Sequence, residues 1–359
     1  MSSKRALIGS VVFMVACSAG PANDDSGGGP GSGGDDNNGG SMGTGFGDGG
    51  GGGTNNNVCT AKTCVGNSPQ GNCDDGLDIV GTDPMSGAKA IGLCKVYEDG
   101  GWGVKSAQWV QSDGVPLAGM LLDGKGVLDN FGGVNPREGK AMLAISSGSA
   151  RSPEDPGWGD PSGYQKMDEF IDPPHGAPPG YPKESPSCGP DVFTGPPYDS
   201  AGLRLVVQTP TDAKSFSFDF DFYTYEFPSW ICSEYNDFFV AMVNPKISSL
   251  PDGNVSFDAQ GNTISVNAGF LQVCTAQEAG GKFFDCPLGP GELNSTGFET
   301  HAATSWLQTK APIEAPGSEV TFDFLIWDSG DTVLDSTTLI DNFRFELDES
   351  GTGTLPVPE

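Results

Sequence analysis

Two groups of oxygen-bearing side chains could do chemistry. Glu234, Asn236 and Asp237 follow Cys232 closely, and Asp328, Asp331, Asp335 and Asp341 surround a turn near the end of the chain. A hard cation such as Ca²⁺ takes roughly six to eight oxygens of this kind. Asp328, Asp331 and Asp335 are therefore the expected metal ligands, held between loops. The spacing does not match the twelve-residue EF-hand loop. The competing reading is that these carboxylates cap turns and accept backbone hydrogen bonds, as Asp and Asn do in loops.

Signals for catalysis are absent. His175 and His301 are the two histidines, and a histidine-dependent triad or zinc site would have to use one or both. Neither a Gly-x-Ser-x-Gly elbow nor a His-Glu-x-x-His helix occurs. A carboxylate pair for glycoside hydrolysis depends on separation in space, and with 47 acidic residues no pair is singled out. No catalytic residue is assigned.

Aromatic side chains offer recognition instead. Trp158, Tyr164 and Tyr181 fall in a Pro- and Gly-crowded stretch, where an exposed ring could stack on a sugar or a partner protein. Trp102, Trp109, Trp230, Trp306 and Trp327 flank expected strands and read as packing residues. The chain has nine cysteines. Cys274 and Cys286 enclose a short loop and are expected to pair, as are Cys188 and Cys232, leaving Cys59, Cys64, Cys73 and Cys94 to pair among themselves. Zinc is the alternative for those four, set against their irregular spacing.

The elements that must position these residues are strands. Ser215 to Phe222 alternates Phe with Ser or Asp, a period of two that predicts one buried and one wet face. Val320 to Phe324 and Phe343 to Leu347 repeat the pattern. Phe238 to Val243, apolar on both faces, predicts a central strand. Val255 to Phe257 and Thr263 to Val266 flank a turn with Gly261-Asn262, a hairpin signal. The best helix candidate is a short piece from Ala88 to Cys94. Residues 151 to 199 carry Pro173-Pro174, Pro178-Pro179 and Pro196-Pro197 and predict a long surface excursion outside any sheet, stapled by Cys188. Many short strands with Gly, Pro, Asn and Asp punctuation predict an all-β fold: a two-sheet sandwich, of which a jelly roll is one form.

The N-terminus predicts the compartment. Lys4 and Arg5 precede an apolar run from Ala6 to Val15, the pattern of a cleaved signal peptide over residues 1–16. That run is shorter than the roughly 20 residues that span a bilayer. Met14-Val15-Ala16-Cys17 resembles the lipobox of bacterial lipoproteins, with Met14 where Leu is usual, which implies lipidation of Cys17. Assigning Cys17 to lipid leaves eight cysteines to pair. Residues 17–57 are dominated by Gly, Asn, Asp and Ser, a flexible tether. The sandwich should follow over 58–349, with 58–95 a candidate cysteine-rich appendage and 350–359 a tail. A net charge of −29 argues against nucleic acid as a partner.

A resemblance accompanies this reading. Ala90 to Lys95, Trp102 to Val110 and Ser146 to Arg151 follow in order, then Phe220 to Pro228, Cys232 to Phe239 and Leu334 to Phe343. In this order they resemble the choice-of-anchor L domain of bacterial surface proteins, over roughly Gly71 to Leu347, most specifically in Glu226 to Phe239. The resemblance implies a β-rich surface domain without established catalytic activity. The sequence thus points to a lipid-anchored envelope protein, at the outer membrane or cell surface, that recognises a glycan or envelope protein or serves a structural role. The alternative is a secreted polysaccharide hydrolase.

Overall fold

A computed structural model describes residues 73–167 and 174–357. The signal, Cys17, the tether, Cys59 and Cys64 lie outside the described residues. A helix, α1 (Pro84–Ala90), is followed by strands β1 (Gly103–Val110), β2 (Lys125–Leu128), β3 (Met142–Ser146), β4 (Pro197–Gln208), β5 (Ser215–Thr224), β6 (Phe238–Asn244) and β7 (Ile264–Ser265). After them come the small hairpin β8 (Gln277–Ala279) and β9 (Lys282–Phe284), then β10 (Ala302–Ala303), β11 (Leu307–Pro312), β12 (Glu319–Ser329), β13 (Ser336–Glu346) and β14 (Gly353–Pro356).

Two antiparallel sheets form the sandwich. One has the order β1-β4-β12-β6-β7. The other runs β14-β11-β5-β13-β3-β2, with β10 also on β5. Alternate residues of β5 drive the packing: Phe216, Phe218, Phe220 and Phe222 all point into one core with Phe322, Phe324 and Ile326 of β12 and Phe239 and Ala241 of β6. Phe218 meets Phe324 edge-on at 5.1 Å between ring centres, and Phe216 meets Phe322 at 5.0 Å. These are the edge-to-face geometries that ring quadrupoles favour.

The alternation in β5 is as expected, but its second face is not wet. Ser215, Ser217, Asp219, Asp221 and Tyr223 are also buried, because loops cross the outer face of this sheet. Phe131, Leu293 and Phe298 pack with Tyr223 and Leu339 as a separate cluster there. The other sheet is covered in the same way, Tyr181 of the excursion lying against Phe238, Val240 and Trp327.

Local chemistry explains further departures. The helix begins at Pro84 rather than Ala88, because Asp83 caps it by accepting from the Met85 amide at 3.0 Å and proline suits the first helical position. It ends at Ala90, and Gly92 (φ +92°) turns the chain away. Of the expected hairpin, Phe257 and Thr263 pair across the turn, but Ile264 and Ser265 join β6. Pro197 begins β4, at the first position of a strand, where its missing donor is tolerated. The terminal residues expected as a tail instead form edge strand β14 on β11. The described part of the candidate appendage packs into the main core through Ala88, Ala90, Ile91 and Leu93.

Disulfides join Cys73 to Cys94, Cys188 to Cys232 and Cys274 to Cys286. Such bonds belong to an oxidising, extracytoplasmic compartment. No described helix is long and apolar enough to cross a membrane.

Candidate metal centre

The ends of three strands bring the acidic residues together at one end of the sandwich. Glu226 lies just past β5, where its amide donates to Thr224 Oγ1 at 3.2 Å. Asp237 immediately precedes β6, and Asp328 is the penultimate residue of β12. The β12–β4 register shifts between Ile326 and Asp328, an irregularity of the kind that re-aims a side chain. One carboxylate oxygen from each of Glu226, Asp237 and Asp328 lies within 4.8 Å of the other two, and all three residues are buried.

Their hydrogen bonding is incomplete. Asp237 accepts from the Ser329 amide at 3.1 Å through Oδ1, while its Oδ2, Glu226 Oε2 and both oxygens of Asp328 lack a well-formed hydrogen bond from any described protein donor. The side-chain amide of Asn236, fully buried, is likewise unpartnered at both ends. No Lys or Arg among the described residues forms an ion pair with any of the three acids. Native proteins satisfy nearly all such buried groups, so four unpaired carboxylate oxygens within one trio point to a proton or a cation as their partner.

Electrostatics states the same need. Burial, with the charge of Asp237 next, pushes Glu226 up to about 11. Burial pushes Asp237 up to about 7, against the opposing influence of Asp328, Ser336 and the Ser329 amide. Burial and then the charge of Asp237 hold Asp328 well above the ordinary carboxylate range. Three buried acids this close must retain protons or share a cation. The three carboxylates supply oxygen alone, the donor type that Ca²⁺ takes in mono- or bidentate mode.

Of the three expected ligands, Asp328 is thus in the cluster. Asp331, half-buried, accepts from the Val333 amide at 3.0 Å, and its charge raises the proton affinity of Glu226, Asp237 and Asp328. Asp335 answers to a different partner. It is fully buried and raised by that burial, and the charge of Lys166 is the largest influence opposing the rise. Lys166 itself is lowered by complete burial; its Nζ donates to the Ser146 carbonyl at 2.9 Å, and the charge of Asp199 is the strongest one favouring its protonated form. Both Asp335 oxygens are also without a hydrogen-bond donor among the described residues, and Lys166 acts on Asp335 through space, its charge offsetting part of the cost of burial.

The remaining candidates are elsewhere. Glu234 is exposed. Asp341 caps a turn, accepting from the amides of Arg137 at 2.6 Å and Glu138 at 3.0 Å. His301 stacks on Tyr225, with Nδ1 2.6 Å from the Phe227 carbonyl, and His175 donates its amide to the Pro197 carbonyl. Tyr164 donates to Asp123 at 2.7 Å, and Tyr181 packs edge-on against Trp327 and Phe238, so both rings of the excursion anchor it to the body. Trp158 is half-buried. Glu226 was missed by sequence reasoning. Its signal was an acid directly after an alternating strand and inside an aromatic stretch, Tyr225-Glu226-Phe227-Pro228-Ser229-Trp230.

No protein-family model matches the chain, and no curated protein or solved structure matches it either.

Proposed function

We propose that the chain is an exported lipoprotein of the bacterial cell envelope, anchored through Cys17, whose β-sandwich is a recognition or structural module ordered by Ca²⁺ at Glu226, Asp237 and Asp328. The observation that carries this reading is the trio of buried carboxylates, short of donors and in no ion pair with a described Lys or Arg, 4.8 Å or less apart. The three disulfides support the exported state, and the Gly-rich tether and the lipobox-like Met14 to Cys17 support the anchor. Membership of the choice-of-anchor L group belongs to the same proposal. It rests on the quoted segments, the most specific of which, Glu226 to Phe239, contains two of the three metal ligands.

Calcium here would tie the segment after β5, the segment before β6 and the β12–β13 turn into one rigid end. The excursion is fastened beside it by Cys188–Cys232 and by Lys166. The purified, oxidised protein should bind its own cell envelopes saturably with Ca²⁺ and lose that binding in EDTA. Binding identical under both conditions would remove the metal from the functional reading, and no binding under either would leave a purely structural role.

A further inference from the structure

A second pair of acids meets on the outer face of β5, away from the metal centre. Asp221 is fully buried there, and Glu292 approaches it from the short 3₁₀ turn Gly291–Leu293. One phenol serves both: Tyr223 Oη lies 2.9 Å from Asp221 Oδ2 and 3.3 Å from Glu292 Oε1. We propose that Asp221 and Glu292 share one proton around this hydroxyl, and that the proton is a latch holding residues 288–300 on the sheet until alkaline pH removes it.

The number of hydrogens available requires the extra proton. A phenol has a single hydrogen to donate, which satisfies Asp221 or Glu292 but not both. With both acids ionised, two carboxylates would converge on one hydroxyl and repel each other. A proton on either acid gives the group a second donor and removes one charge. The other carboxyl oxygens have neutral donors only, Asp221 Oδ1 accepting from Thr304 Oγ1 at 3.2 Å and Glu292 Oε2 from Ser305 Oγ at 3.1 Å. Burial, and then the charge of Glu292, push Asp221 well above the ordinary carboxylate range. The same burial keeps the proton on Tyr223, so the carboxyl pair is what titrates.

The charged groups around the pair are committed elsewhere. Arg137 lines one cleft with Glu292, but its Nε donates to Asp219 Oδ2 at 3.3 Å and its guanidinium lies over the Trp306 ring. On β13, Asp341 accepts the amides of Arg137, Glu138 and Asn342. Lys310 of β11 pairs with Glu346. Within the covering segment Glu299 accepts from the Ser295 amide at 3.0 Å, and His301 stacks on Tyr225. No described Lys or Arg forms an ion pair with Asp221 or Glu292.

What the latch holds is the cover of the sheet. Leu293, next to Glu292, is buried with Phe131, Tyr223, Phe298 and Leu339. The segment runs from Cys286 to β10 with no disulfide of its own, so this packing and the acid pair are what fasten it. A carboxyl raised by folding loses its contribution as pH rises through the folded value, so the segment opens in alkali and closes in acid.

Hydrogen exchange of the full-length, oxidised protein, read by mass spectrometry from pH 6 to 9.5 and corrected for the intrinsic exchange rate, tests this. Saturating Ca²⁺ and EDTA are compared, because titration of the Glu226, Asp237 and Asp328 cluster would act in EDTA alone. Protection of residues 288–300 should fall tenfold or more with rising pH in both buffers, while β12 keeps its own. Glu292→Gln, whose amide donates without a titrating proton, should remove that fall, and Asp221→Asn should do the same from the strand. Protection that is independent of pH, that falls equally in both variants, that falls in EDTA alone, or that is lost together with β12 would overturn the proposal.

Discussion

Replacing the Asp328 carboxyl by an amide, Asp328→Asn, should stabilise the metal-free protein and at the same time remove its response to Ca²⁺. A carboxyl whose folded pKa lies above its unfolded value contributes stability below the unfolded value and loses it as pH rises through the folded one. For Asp237 that window runs from 3.8 to about 7. At about 1.36 kcal/mol per pH unit, the loss from this group alone approaches roughly 4 kcal/mol by pH 8. Asp328, beside it and equally buried, must keep a proton that the unfolded chain sheds. The amide introduced by Asp328→Asn can donate to Asp237 without that proton, so in EDTA at pH 8 the variant should gain about 2 kcal/mol, roughly half the figure for Asp237. That is about 4–8 °C in Tm for a domain of this size. In Ca²⁺ at about a hundred times its Kd, the natural protein should gain about 2.7 kcal/mol and the variant, short of one ligand, much less. Differential scanning calorimetry in both buffers decides the matter. A variant that melts lower than the natural protein by the same amount in EDTA and in Ca²⁺ would refute the reasoning, because Asp328 would then be an ordinary structural partner.

Other outcomes follow from the same structure. Lys166→Met should destabilise by about 3–5 kcal/mol at pH 8, because it leaves Asp335 and Asp199 without their buried counter-charge, and by less at pH 5, where protons can replace it; urea unfolding at the two values checks this. Replacing Cys188 and Cys232 by Ser opens a 44-residue loop, which should cost about 4 kcal/mol and make residues 183–193 the first site of limited proteolysis. Phe218→Ala, at the centre of the core and fully buried, should cost about 3–5 kcal/mol in a chemical denaturation experiment. Without metal, Tm should fall as pH rises from 4 to 8, and saturating Ca²⁺ should flatten that slope.

Much of the sandwich is legible in local patterns. The Phe alternation in β5 and the apolar run in β6 mark strands because a pleated strand exposes alternate residues to opposite faces. That Asp219 and Asp221 are buried is not local information: Arg137, Gln308 and Asn342 donate to Asp219, and Thr304 donates to Asp221, all from segments far from β5 in sequence. Similarly, β12 and β13 extend well beyond their alternating segments because pairing with β4, β6, β5 and β3 sustains them. The acidic turn at 328–335 was visible as a ligand source, but spacing along the chain could not separate Asp328, which joins Glu226 and Asp237, from Asp335, which faces Lys166. That division is made by the excursion, whose Pro-rich composition announces a loop and not where its buried lysine goes. The aromatic rings of the excursion read as recognition residues for the same reason; Trp306, read as packing, does pack against the Phe131, Tyr223 and Phe298 cluster, with the Arg137 guanidinium over its ring.

The most direct test of the account is calorimetric titration of Ca²⁺ into EDTA-treated, desalted protein at pH 7.5, in two buffers of different ionisation enthalpy. One ion should bind per chain with release of protons from the Glu226, Asp237 and Asp328 cluster, and the double variant Glu226→Gln, Asp237→Asn should bind none. A chain that takes up no Ca²⁺, or whose uptake is unchanged in the double variant, would contradict it.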